Sequence, residues 1–166
     1  MTFAAHESGH LVLDFAFDAK PRVTRVQFAG IPFFAISHRS DLSPRREFAI
    51  SSAGFWTQEA WNEVLLTSRS QLHHEHAPVL TGALAFNILA SVAYAAAAFN
   101  RVGPVERDTR GIADAVAVDE RLIAALVLTP AVLDGVRYVQ PGATWATWTS
   151  RAAKAGSVAL MAKSRD

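Results

Sequence analysis

The chain contains no cysteine, which excludes disulfides and thiolate metal ligands and leaves histidine and carboxylate as the side chains able to hold a metal. Charge is also scarce. Charged residues make up 19% of the sequence against 51% hydrophobic, a low share for the surface of a soluble domain. The formal net charge is +1, so no basic field exists to recruit nucleic acid. A charged leader with a cleavage site is missing before His6, so no signal peptide is expected at this start. The 166 residues suit one domain, 1–166, with a sizeable core.

What is present begins almost at once. His6-Glu7-Ser8-Gly9-His10 is an HExxH sequence. At helical spacing, residues i and i+4 share one face, so both imidazoles can meet one zinc ion while Glu7 reaches the water beside it as general base. Phe3, His6, His10, Leu13 and Phe17 recur at intervals of three and four, as expected for a helix turning its ligands toward a core. An ion-paired surface helix would also satisfy the motif, but the apolar flanks Phe3-Ala4-Ala5 and Leu11-Val12-Leu13 argue against it. Asp14, one turn beyond His10, is placed to orient that ring through its second nitrogen. Gly9 costs the helix roughly 1 kcal/mol relative to alanine, and its smallness suits the close approach of another backbone. A chain that starts so abruptly leaves room for a removed leader or a truncation.

Two histidines do not complete a site, and the third ligand must come from elsewhere. The segment from Gly103 to Asp114 alternates charge with turn-forming residues, and Arg107 and Arg110 are placed to fix its carboxylates. Asp108 is the first choice to complete a His₂-carboxylate set with water in the fourth position, with a capping role as the competing reading. Asp114 is a weaker candidate. Glu59 and Glu63, one turn apart, are further candidates that salt bridges would equally explain. His73-His74-Glu75-His76 reads as a solvated boundary, since neighbouring side chains cannot all converge on one ion. His38 is an isolated candidate for stabilising an oxyanion.

The remaining pattern is mainly helical. Alternation over Pro21–Phe28, a break at Gly30 and Pro32, and Phe33–Ile36 predict two short strands or a hairpin, whose edge either holds an extended substrate or only covers the helix core. Ser43 and Pro44, followed by Glu47, predict a capped helix start ahead of Phe48–Leu66. The uncharged run from Pro78 to Phe99 is long enough to cross a bilayer of about 30 Å hydrocarbon thickness, and its alanines suit a buried bundle helix equally. A second apolar helix is predicted over Leu122–Leu133, closed by Asp134-Gly135. Trp145 and Trp148 fit either a membrane interface or the cover of a soluble core, and Arg151 to Lys163 form a mildly basic terminal helix. The fold expected is thus α+β, a helical core with a short β-hairpin near the N-terminal metal helix and a helix able to span a membrane. Membrane association is preferred over a soluble cytoplasmic or exported form.

Together His6, Glu7, His10 and Leu133-Asp134-Gly135 resemble the zinc metallopeptidases of the site-2 protease class, which place HExxH in an early helix and draw an aspartate ligand from a later Leu-Asp-Gly segment. That resemblance makes Asp134 the rival to Asp108. Ala53-Gly54 is similar to the Ala-Gly region that approaches the catalytic helix in the class, whereas the usual Asn-Pro before the aspartate is missing here. His-Glu-small-Gly-His more distantly resembles the peptidase domain of FtsH, with no ATPase segment in this chain. Both resemblances imply peptide-bond hydrolysis with zinc and so a peptide or protein substrate; the small residues of the Pro78–Phe99 run separately suit a membrane or a helical protein partner. The alternative is a structural or interaction protein in which HExxH is accidental or a non-catalytic clasp.

Overall fold

The structure, a computed structural model, describes residues 2–28, 31–105 and 107–164. Alternating polar and apolar residues give β1 (Arg22–Phe28), which pairs antiparallel with β2 (Ile31–Ser37) in a two-stranded sheet. The register runs from Arg22 opposite Ser37 to Phe28 opposite Ile31. The break expected at Gly30 lies outside the described residues. Pro32 does not break the pattern but pairs with Gln27 inside β2, which a two-stranded sheet tolerates because each strand is an edge.

Helices supply the rest: α1 (Thr2–Ala16), α2 (Pro44–Ser68), α3 (Pro78–Asn100), α4 (Asp108–Val116), α5 (Glu120–Val139) and α6 (Thr144–Ala159), with short 3₁₀ turns at Leu72–His74 and Leu160–Lys163. The predominantly helical fold with one hairpin follows the sequence pattern. Helix α2 is the hub, packing against α1 and α4, while α3 and α6 flank α5. The hairpin is tied to the end of α1, where the Arg39 N–H donates to the Ala19 carbonyl at 3.0 Å. The main core gathers Phe48 and Phe55 of α2, Ile112 and Val116 of α4, and Ile123 and Val127 of α5. Burying each of these side chains contributes roughly 1.5–3 kcal/mol.

Two local expectations change. Ser43 occupies the N-cap of α2 but its side chain makes no capping bond; Pro44 at the first helical position already lacks one of the N–H groups a cap would satisfy. Helix α5 does not close at Asp134-Gly135 and runs on to Val139, with Pro130 inside it. The helical glycine costs about 1 kcal/mol. Against that, Asp134 and Arg137 are locked into a buried ionic network that only a continuous helix can assemble: Arg137 meets Asp134 at 3.2 Å and Glu63 of α2 at 2.6 Å, and Lys154 of α6 meets Asp134 at 2.9 Å.

Helix α3 is the outlier. It buries only Leu84, Asn87, Ala95 and Ala98, and leaves Val79 75% and Leu89 66% exposed. Its C-terminal end adjoins the start of α5, where Arg101 pairs with Asp119 at 2.6 Å. Among the described residues, α3 and α5 are long and apolar enough to cross a membrane. Asn87 donates to Asn62 at 2.9 Å, and Asn62 donates to Asp134 at 3.2 Å, so one chain of hydrogen bonds links α3, α2 and α5. Trp145 and Trp148 are both well exposed and do not cover a core.

Candidate metal centre

The helical spacing of HExxH puts His6 and His10 on the face of α1 that packs against α2, and both are buried. Close packing there depends on glycine. A Cβ on Gly9 would lie 2.6 Å from the Ala53 carbonyl oxygen and 2.5 Å from Thr57 Oγ1, so only glycine lets the two backbones approach. Gly54 of α2 sits directly beneath the ring nitrogens: a Cβ there would collide with Cε1 and Nε2 of His6 and come within 2.5 Å of His10 Nε2. Gly111 of α4 meets Ser51 of α2 in the same manner. That third contact brings the first turn of α4, with Asp108 at its start, over the two imidazoles.

The three ligating atoms converge. Asp108 Oδ2 is 3.1 Å from His6 Nε2 and 3.4 Å from His10 Nε2, and the two Nε2 atoms are 3.1 Å apart. Tetrahedral zinc–ligand bonds of about 2.0–2.1 Å imply donor separations of about 3.3 Å. His10 Nδ1–H donates to the Ile50 carbonyl at 2.7 Å, so a neutral His10 turns the lone pair of Nε2 toward the other two donors. Donor atoms this close must share a proton or a cation, and the same geometry could hold a metal ion. Among the described residues this is the group of histidine and carboxylate side chains able to hold a metal ion. Burial alone would lower the His10 pKa; the Asp108 carboxylate outweighs it and pushes it up to about 9. Asp108, opposed by its own burial, is held well below the usual carboxylate range by the two imidazoles.

Glu7 lies beside this group, half-buried and accepting no hydrogen bond from a described residue. Burial raises its pKa above the ordinary value, against the pull of His6 and His10. Aromatic rings wall His6: Phe55 lies edge-on at 5.5 Å and Tyr94 of α3 is stacked at 5.6 Å. His6 Nδ1 is buried without a hydrogen-bond partner among the described residues. A cleft of about 510 Å³ opens against the group, lined by His10, Ile36, Ser37, His38, Glu47 and Asp108. The end of β2 therefore borders it.

Several sequence-predicted residues take other positions. Asp14 does not orient His10, because the Ile50 carbonyl does; Asp14 is fully buried and faces His38 Nδ1 at 3.4 Å. His38 Nε2 meets Glu47 at 2.8 Å, and that carboxylate, hydrogen-bonded to the ring, holds His38 above its usual pKa. The His38 ring, which also lines the cleft, therefore faces two carboxylates, Glu47 through a hydrogen bond and Asp14 at ion-pair distance. Asp134 is not brought to the histidines. Its buried carboxylate is taken up by Asn62, Ser150, Arg137 and Lys154, because α5 carries it to the α2–α6 side of the bundle. Arg107 does not fix Asp108 but pairs with Glu120, and Arg110 reaches exposed Asp114 only at 3.7 Å. Glu63 binds Arg137, Arg151 and Lys154. His73 and His74 lie against each other with ring centroids 3.7 Å apart and planes tilted by 41°, and neither belongs to the group. The contacts of Tyr94 and Ile50 were not foreseen: the first is a lone ring in an apolar run and the second acts through its backbone, neither of which leaves a motif.

Glu59 lines a small apolar pocket between Phe55 and Leu160, and burial pushes its pKa up to about 7, with Lys154 opposing. Because the folded value exceeds the unfolded 4.5, the folded state holds the proton longer, and stability falls as pH rises from about 4.5 to about 7. Glu59→Gln is expected to remove that slope and to leave the protein more stable than the parent above pH 7. Urea unfolding at pH 5 and pH 8 checks it; equal differences at both pH values would refute the assignment.

No family model, curated protein or solved structure matches the chain. The chemistry of the site therefore rests on its own geometry.

Proposed function

We propose that the chain is a zinc-dependent hydrolase of peptide bonds, with the metal held by His6, His10 and Asp108 and with Glu7 as general base. The observation that carries this reading is the convergence of three buried or half-buried donor atoms within 3.1–3.4 Å, beside an open cleft and a glutamate that accepts no hydrogen bond from a described residue. Two histidines and one carboxylate are a donor set of catalytic zinc, which keeps a fourth position for water, whereas structural zinc is usually closed by four protein ligands. Zinc so held supplies an acidified water and a Lewis acid for the scissile carbonyl. Glu7 takes the proton of the attacking water, for which its raised affinity suits it, and returns it to the leaving amine nitrogen. The end of β2 offers backbone groups to an extended peptide in the cleft.

The outer face of α3 supports a lipid environment for this hydrolase. Its 23 residues span about 34 Å at 1.5 Å per residue, matching a hydrocarbon core of about 30 Å. A contiguous apolar face of this length, through Val79, Phe86, Leu89, Val92 and Phe99, is rare on a soluble monomer.

Metal content tests the reading first. Purified protein is expected to carry about one zinc per chain by elemental mass spectrometry. His6→Ala and Asp108→Ala should lose it, whereas Asp134→Asn should keep it even if less stable. No zinc in folded, metal-replenished wild-type protein would overturn the hydrolase in favour of a structural or interaction role.

A further inference from the structure

Asp108 reaches the metal site from a helix terminus whose immediate neighbours are both held by one buried carboxylate on another helix. Glu120, in the first turn of α5, accepts two bonds from the Arg107 guanidinium, 2.6 Å from Nε and 2.5 Å from Nη2. The same carboxylate accepts the Thr109 hydroxyl at 2.7 Å. Arg107 and Thr109 flank Asp108 in sequence. Glu120 is buried, Thr109 is fully buried, and Arg107 also donates to the Pro104 carbonyl at 3.0 Å. The grip therefore closes on the backbone before and after the ligand, while Gly111 presses the same turn against α2.

We propose that Glu120 is the positioning residue for the Asp108 ligand, fixing the start of α4 so that Oδ2 stays within reach of both imidazoles and thereby setting the affinity of the site for its metal. This inference rests on the reading of His6, His10 and Asp108 as a metal site. A single methylene joins the Asp108 carboxylate to its backbone, so its reach is governed by where the backbone of residues 107–109 sits. A bidentate pair to Arg107 fixes one side of that backbone in position and orientation. The hydroxyl bond fixes the other. Support that orients a ligand is worth about 10–100-fold in metal affinity in metal proteins.

The test is competition for Zn²⁺ against a chromogenic chelator, together with the visible absorption of the Co²⁺-loaded protein, whose intensity reports a tetrahedral ligand field. Glu120→Gln loses the charge pair to Arg107 and should bind Zn²⁺ at least about tenfold more weakly, with an altered Co²⁺ spectrum. Thr109→Val removes one hydroxyl bond without a change of charge and should weaken binding in the same direction. Thr109→Ser keeps the hydroxyl and should restore wild-type affinity. Arg101→Ala, which breaks the exposed Arg101–Asp119 pair but leaves Asp119 capping α5, should leave affinity and spectrum unchanged. If Glu120→Gln does not fold, the valine and serine pair at 109 decides alone. Wild-type affinity in folded Glu120→Gln, or equal affinity in Thr109→Val and Thr109→Ser, would overturn the proposal while leaving the metal site intact. A wild-type protein that binds neither ion would instead remove the metal reading beneath it.

Discussion

Glu7→Gln is expected to retain its zinc and its helical circular dichroism while peptide hydrolysis falls by about 10²–10⁴-fold, the usual contribution of a positioned general base. The substitution preserves shape and removes only the capacity to take a proton. Glu7 accepts no hydrogen bond from a described residue, so no buried donor is orphaned by the change. Its neighbours His6 and His10 lose a nearby negative charge, which should weaken metal binding far less than hydrolysis. The two readouts thus separate: metal stoichiometry near wild type, turnover nearly abolished. Full activity in the metal-replete variant would exclude Glu7 as the base and require the proton to leave by another group.

Gly54→Ala should have the largest effect of any single methyl group. Its Cβ would collide with both imidazoles from the α2 side, and both rings are buried, that of His6 against Phe55 and Tyr94. His6 has nowhere to turn without opening that aromatic wall. The expected result is loss of bound metal together with destabilisation of about 1–3 kcal/mol from overpacking. Gly135→Ala is the matched control: it is also a helical glycine, but nothing lies within 4 Å of its Cβ, so alanine there should stabilise by roughly 0.5–1 kcal/mol through helix propensity alone. Elemental analysis and urea unfolding of the two proteins side by side decide the matter. Retained zinc in Gly54→Ala would mean that α1 and α2 separate more easily than their packing implies.

The parts of the site that could be read from sequence are those set by periodicity. Two histidines four apart on an apolar stripe must share a helix face, whereas Ala53-Gly54 draws notice only through the resemblance to the site-2 class. The choice between Asp108 and Asp134 could not be made that way. Leu133-Asp134-Gly135 looks like a helix end that delivers a carboxylate, yet α5 continues through it, because Arg137 and Lys154 capture Asp134 from neighbouring turns and helices. Asp14 was misleading for a related reason. Helical spacing places it near His10, but the ring turns its Nδ1 to a carbonyl on α2 that no local pattern announces. Glu120 was invisible as a support, since its bonds reach back eleven and thirteen residues across a turn. The hairpin and the long helices were legible because alternation and apolar runs are local properties; long-range polar pairing is not.

Helix α3 is apolar on nearly every side, so the gain from hiding hydrocarbon distinguishes one rotation of the helix from another only weakly. The amide of Asn87 adds to that difference. Turning α3 about its axis, or sliding it by one turn, would strand that amide and leave Asn62 without its donor, at about 1–3 kcal/mol for each buried group left unsatisfied. Asn87 therefore adds a polar lock to the phase that buried Leu84, Ala95 and Ala98 already favour. Outward positions such as Val79, Leu89 and Val92 can be exchanged for other apolar residues over many generations without disturbing the orientation of Tyr94 toward His6, provided position 87 keeps its amide.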